Sequence, residues 1–167
     1  MTYLALAMLL IGFALVNQHY PTLLGESAAL PPGYWRVTEI YDGDTIAVDM
    51  NGTIEKVRLV GVDTPETHHP KKPVECFGQA ATDYTRKLIG HAPVRLEADS
   101  LSSNRDRYDR LLRYAYLPDG TLVNLKIVED GYGFSYTTFP SELTERFETA
   151  EDAARSAGRG LWGTCPV

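Results

Sequence analysis

The sequence predicts an α+β protein built on a small antiparallel barrel of five strands, with about three helices. Three observations carry that reading. Short runs alternate in polarity, as where Ile46, Val48 and Met50 interleave with Ala47 and Asp49, the period of a strand with one buried face. Turn signals separate the runs, above all Asn51-Gly52 and Pro118-Asp119-Gly120. Helical spacing of apolar residues is confined to stretches after residue 78. The chain has 167 residues, 44% of them hydrophobic and 23% charged, enough for one domain with a real core and unlike a disordered composition.

Residues 1–30 are set apart as a signal peptide or N-terminal membrane anchor plus linker, and residues 31–167 as the folded domain. Leu4 to Val16 is unbroken apolar chain with Gly12 inside it, followed by Asn17, Gln18 and His19. A bilayer span needs about 20 residues, so this run matches a signal-peptide core better. No Lys or Arg precedes it, and the small-residue run Ser27-Ala28-Ala29 lies rather far from it. The expectation is export, by a cleaved signal or a retained anchor, giving a secreted or extracytoplasmic membrane-anchored protein. The alternative is a hydrophobic helix packed on the domain. Cys76 and Cys165 fit the exported reading, because an even cysteine count in an oxidising compartment suggests a bridge. The plainer alternative is two unrelated thiols.

Thr22 to Pro32 reads as linker. Tyr34 to Tyr41 is a strand, Asp42-Gly43-Asp44 a turn, and the strand through Ile46–Met50 meets its return, Thr53 to Val62, at Asn51-Gly52. These form a three-stranded meander. Thr67 to Glu75 contains His68, His69, Pro70, Lys71, Lys72 and Pro73 and is expected to be an exposed loop. A helix follows from Gly78 to Leu88, with Ala81, Tyr84 and Leu88 on one face and Gly90 ending it. Val94 to Ala98 is the fourth strand, Asp99 to Arg107 a polar loop and Leu111 to Leu117 the fifth strand. A short helix covers Leu122 to Asp130, stopped by Gly131. The last helix follows Pro140, with Ser141 as N-cap, Glu142 in its first turn, and Leu143, Phe147, Ala150 and Ala154 on one face. Gly158 and Gly160 end it, and Leu161 and Trp162 pack back on the core. Oligonucleotide-binding (OB-fold) barrels meet this description, as one option among several.

The net charge of −6 argues against non-specific binding of nucleic acid through global charge, since that affinity comes from clustered Lys and Arg. Phosphate chemistry must therefore rest on local groups. Three such groups stand out: Asp42-Gly43-Asp44, Arg58 through Glu66, and Asp106-Arg107-Tyr108-Asp109-Arg110. Asp44 and Asp63, at the ends of neighbouring strands, can share a hard cation. With oxygen ligands only, Ca²⁺ or Mg²⁺ fits better than zinc. Taken singly, each acid is more often a turn residue. Arginine grips phosphate through two parallel hydrogen bonds, and Arg58 in an apolar strand needs a partner. Its bland partners are Glu66 or Asp63; those of Arg110 are Asp106 or Asp109. His68 and His69 read as solvated loop residues, and Lys71 and Lys72 as solvated charges that can also steer a polyanion.

Residues 57–67, Val-Arg-Leu-Val-Gly-Val-Asp-Thr-Pro-Glu-Thr, followed by His69-Pro70-Lys71-Lys72, resemble the active-site strand and loop of the staphylococcal nuclease (thermonuclease) family. Asp42-Gly43-Asp44-Thr45, Asp106-Arg107-Tyr108 with Arg110, and Gly160-Leu161-Trp162 are similar to it in the same order, so the resemblance runs over residues 35–163. It implies a Ca²⁺-dependent nuclease on an OB-fold-like barrel, acting as a monomer on DNA and RNA and leaving 3′-phosphate ends. By position it implies Asp44 and Asp63 as metal carboxylates and Thr64 as a backbone-carbonyl ligand. It implies Glu66 as general base or water-orienting acid, Arg58 and Arg110 on the scissile phosphate, and Tyr108 at the nucleotide terminus. The family pattern has glycine where this chain has Asp109. Aspartate tolerates a left-handed backbone, yet its carboxylate is expected to compete for Arg110 and lower activity. The rival readings are a non-catalytic binding module on the same barrel and an unrelated exported metal-binding or envelope protein.

Overall fold

The computed structural model describes residues 29–67 and 74–166. The expected N-terminal signal or anchor, apart from its last residues, and the loop carrying His68, His69, Lys71 and Lys72 lie outside them. Three strands come first: β1 (Tyr34–Ile40), β2 (Thr45–Met50) and β3 (Thr53–Leu59). The β2–β3 hairpin turns on Asn51 and Gly52, both at positive φ (58° and 89°), the conformation that a two-residue turn matched to strand twist requires. Strand β2 is buried along Thr45, Ile46, Ala47 and Val48, so its first half is covered on both faces rather than the one its alternation suggests.

Helix α1 (Gly78–Ile89), β5 (Val94–Glu97), β6 (Leu111–Tyr116) and helix α2 (Val123–Glu129) follow. The strands close into a barrel in the order β1-β2-β3-β6-β5. The expected barrel is thus present, with one correction. Five strands in a ring cannot all alternate in direction, so one seam must be parallel. That seam is β3–β6, where Val57 faces Leu111 and Leu59 faces Arg113. It brings the start of β2, the end of β3 and the start of β6 to one rim.

The return strand expected to reach Val62 stops at Leu59. Gly61 adopts φ 78° and a Cβ there would lie 2.4 Å from the Phe147 ring, so only glycine lets the chain turn beneath the last long helix. Past this turn Val62–Asp63 (β4) pairs with Phe134–Ser135 (β7), a two-residue strand that has no sequence signal. Asn124, fully buried on α2, secures the same turn. Its Oδ1 accepts the Ala115 N–H at 2.9 Å, and its Nδ2 donates to the carbonyls of Val60 (2.9 Å) and Arg113 (3.0 Å).

The last long helix, α3 (Thr144–Ser156), buries Phe147, Ala150 and Ala154. It begins two residues later than expected, because Ser141 makes a turn instead of a cap: the Ser141 carbonyl accepts from both the N–H (3.2 Å) and the hydroxyl (2.8 Å) of Thr144. A final turn, α4 (Leu161–Thr164), buries Leu161. Cys165, just beyond it, is bonded to Cys76, with Cα atoms 6.0 Å apart. Among the described residues no helix is long and apolar enough to cross a membrane.

Candidate active site

The rim created by the parallel seam opens onto a cavity of about 770 Å³, lined among others by Asp42, Asp44, Arg58, Asp63, Glu66 and Arg110. Each acid and arginine arrives by its own local route. Asp44 ends the turn that feeds β2; its N–H donates to Asp42 Oδ1 at 3.0 Å. The turn is fastened from α1, where the buried Thr85 hydroxyl donates to the Gly43 carbonyl at 2.7 Å. Gly43 itself passes so close to Thr64 that a Cβ would lie 2.7 Å from its methyl. This packing presses Thr64 onto Asp44.

Arg58 projects from β3, with its side chain 13% exposed. Nε reaches Asp44 Oδ1 at 3.2 Å and Nη2 reaches Asp63 Oδ1 at 2.8 Å. Nη1 donates to the carbonyls of Leu59 (2.7 Å) and Val62 (2.6 Å). The arginine therefore has Asp63, as expected of a bland partner, and also Asp44. Arg110 is held by Asp106, Nε to Oδ2 at 2.7 Å. Its Nη1 donates to Thr45 Oγ1 at 3.4 Å, while that hydroxyl donates to Asp44 Oδ1 at 3.0 Å. Thr45 thus links the second arginine to the carboxylate that the first one touches.

Five carboxylates line this cavity, Asp42, Asp44, Asp63, Glu66 and Asp106, and the ionisation of three of them reflects the crowding. Burial, reinforced by the neighbouring Asp44 charge, pushes Asp42 up to about 6. Burial and then Asp44 also raise Asp63, against the opposing pull of Arg58. At Asp106 burial works upward, but hydrogen bonds from the Arg110 backbone and side chain prevail and hold the carboxyl below its usual range.

A hard dication suits this donor set. Among the described residues no three His, Cys, Asp or Glu side chains are gathered as a ready metal cage. Yet the Asp44 charge adds to the raised pKa of both Asp42 and Asp63, an excess of negative charge in partly buried surroundings that a cation with oxygen ligands relieves. Asp44, Asp63 and the Thr64 carbonyl would make a partial shell, suited to an ion that keeps several waters.

Glu66 lines the same cavity; its Oε1 accepts the Thr67 N–H at 2.9 Å. Tyr108, 64% exposed, lies at the mouth, with the Arg110 guanidinium 5.4 Å and that of Arg107 4.7 Å from its ring centre. Asp109 takes φ 63°, as a left-handed residue replacing glycine must. Its carboxylate is directed at Arg105 (3.6 Å) and is 88% exposed, so the expected competition for Arg110 does not occur. Arg105 is itself paired with Glu55 at 2.9 Å.

Sequence reasoning gave no role to Thr45, Thr85 or Asn124; Thr85 and Asn124 act through contacts the fold makes, and Thr45 joins its neighbour Asp44 to the distant Arg110. Sequence reasoning also missed Tyr136 and the 64% exposed Phe139, which line the cavity; they follow β7, which no pattern marks. Arg58 stands 5.7 Å from the Tyr136 ring centre.

The order of these groups along the barrel matches a known family: the model described as "Staphylococcal nuclease homologue" covers residues 56–164. The chain belongs to the staphylococcal nuclease family. Within that family it is 38% identical over 160 residues to "Thermonuclease" of Staphylococcus intermedius, an alignment covering 95% of this chain and 93% of the relative. It is 36% identical over 129 residues to "Thermonuclease" of Staphylococcus hyicus, covering 77% and 75%. It is also 35% identical over 123 residues to "Endonuclease YncB" of Bacillus subtilis (strain 168), covering 72% of this chain and 57% of that one.

Proposed function

We propose that the chain is an exported, Ca²⁺-dependent endonuclease that hydrolyses DNA and RNA to products with 3′-phosphate ends, acting as a monomer. One observation carries the reading: Arg58, Arg110, Asp44, Asp63 and Glu66 line a single cavity at one rim of the barrel. The family and the names of its thermonuclease and endonuclease members support a nuclease function.

Water attacking a phosphodiester must approach an anion, and charge grows on the phosphoryl oxygens as it does so. Arg58 and Arg110 place two guanidiniums where that charge grows, the main lever for such a reaction. Each is now balanced by carboxylates, Arg58 by Asp44 and Asp63, Arg110 by Asp106. A phosphate therefore enters a site whose donors are already aligned. Ca²⁺ held by Asp44, Asp63 and the Thr64 carbonyl would add Lewis-acid charge to this chemistry. Glu66 takes a proton from the attacking water or orients it. The 5′-oxygen leaves, so the phosphate stays on the 3′ side. Tyr108 meets the nucleotide at the mouth, and Lys71 and Lys72 steer the polyanion.

The disulfide and the apolar run at residues 4–16 support export, by cleavage or with retention as a membrane anchor. The decisive assay is digestion of single-stranded DNA with Ca²⁺ and with a chelator, reading the end groups. Metal-dependent release of 3′-phosphates is expected. Binding without cleavage under any divalent ion would make the chain a non-catalytic module.

A further inference from the structure

Glu66 is gripped on both sides of its own peptide by a residue nine positions later. Its N–H donates to Glu75 Oε2 at 3.0 Å, and its carbonyl accepts the Glu75 N–H, also at 3.0 Å. Glu75 is in turn anchored from behind. Its carbonyl accepts the Gly78 N–H at the start of α1, at 3.0 Å. The next residue, Cys76, is bonded to Cys165. The Cys165 N–H donates to the Leu161 carbonyl at 2.8 Å, and Leu161 is 1% exposed. A chain of covalent and hydrogen bonds thus runs from the core through Glu75 to the backbone of Glu66.

We propose that Glu75 is a positioning residue for the reaction, acting through Glu66; the inference rests on the nuclease reading above. A carboxylate that orients a water works only if its backbone is held, since small displacements of a reacting group are expensive in rate. Glu66 follows Pro65, past the strand pairing at Asp63, and its N–H and carbonyl are both tied to Glu75. The Glu75 carboxylate is the acceptor for its N–H. The disulfide keeps that acceptor from drifting by tying its neighbour to the C-terminal turn.

Disulfide-bonded Glu75→Ala and Glu75→Gln are compared with the parent chain at a temperature where all three are folded by melting curves. Cleavage of single-stranded DNA with Ca²⁺ gives kcat and KM; amide hydrogen exchange at Glu66, followed by NMR without substrate, reports the grip directly. Glu75→Ala is expected to speed exchange at the Glu66 amide and lower kcat on the order of tenfold, with KM held. Glu75→Gln, whose amide oxygen still accepts, is expected to keep both parental values. Faster exchange with unchanged kcat in Glu75→Ala overturns the positioning role, and unchanged exchange overturns the grip. A parent chain that cleaves nothing with any divalent ion overturns the nuclease reading and this proposal with it.

Discussion

Thr64 donates twice to one oxygen of Asp44: its N–H lies 2.8 Å and its hydroxyl 3.0 Å from Oδ2. With Thr45 and Arg58 on Oδ1, both oxygens of this carboxylate are engaged: by its neighbour at the start of β2, by β3, and by the residue that follows β4. A buried carboxylate needs such donors, and here they also fix its orientation in the cavity.

Removing one of them isolates the effect. Thr64→Val keeps the shape and the N–H but loses the hydroxyl. In metal-free buffer it is expected to destabilise the fold by about 1 kcal/mol, read from the denaturant midpoint at constant slope. No change would mean that the hydroxyl bond is replaced by water.

Arg58→Lys keeps the charge and loses the geometry. The guanidinium serves two carboxylates and two carbonyls from three nitrogens, which one ammonium cannot reproduce. The cleavage rate is expected to fall by roughly 10²–10³, the usual loss on removing a donor to developing charge. Near-normal turnover in a folded variant would remove Arg58 from the role proposed for it.

Asp109→Gly tests the departure from the family pattern. From sequence the expected benefit was release of Arg110, but the Asp109 carboxylate points at Arg105 instead. What remains is the left-handed backbone, φ 63°, which costs an L-residue about 1 kcal/mol and aspartate somewhat less. The variant is expected to be slightly more stable, with its cleavage rate unchanged. A clear rise in rate would show that the carboxylate reaches Arg110 in solution.

Asp99, only 3% exposed, is expected to contribute to the loss of stability in acid. Burial works to raise its carboxyl, yet the Tyr114 hydroxyl and the N–H groups of Glu142, Leu101 and Ser102 hold it below the usual range. A depressed folded pKa means the stabilisation is fully present above the unfolded value of about 3.9 and is lost as pH falls through the folded one. Asp99→Asn is expected to be less stable at neutral pH and to flatten that loss. Urea midpoints measured across the acid range for both chains check it; parallel curves would exclude Asp99.

The barrel was legible because its signals are local. Asn51-Gly52 specifies a hairpin by itself, and the run from Arg58 to Glu66 carries a strand and its acids in one stretch. The parallel seam was missed because strand direction is not written in alternation; it follows from closing an odd ring. Likewise Ser141 reads as a cap, but Thr144 satisfies its turn first. Asp44 and Arg110 could be nominated, whereas Thr45 between them could not, because a threonine in a strand looks like any other β-branched residue. Thr85 acts on the Gly43 carbonyl and Asn124 on the backbone of Val60, Arg113 and Ala115, partners that the fold, not a local pattern, brings to them.

The parallel seam also sets the order in which the protein can become active. The β1–β2–β3 meander pairs neighbours in sequence and can form early, whereas joining Val57 to Leu111 requires a long excursion of the chain and its loop-closure entropy. Arg110 reaches the rim only when that seam zips. Until it does, the meander carries Asp44 and Arg58 without Arg110, and the cavity at the rim is incomplete.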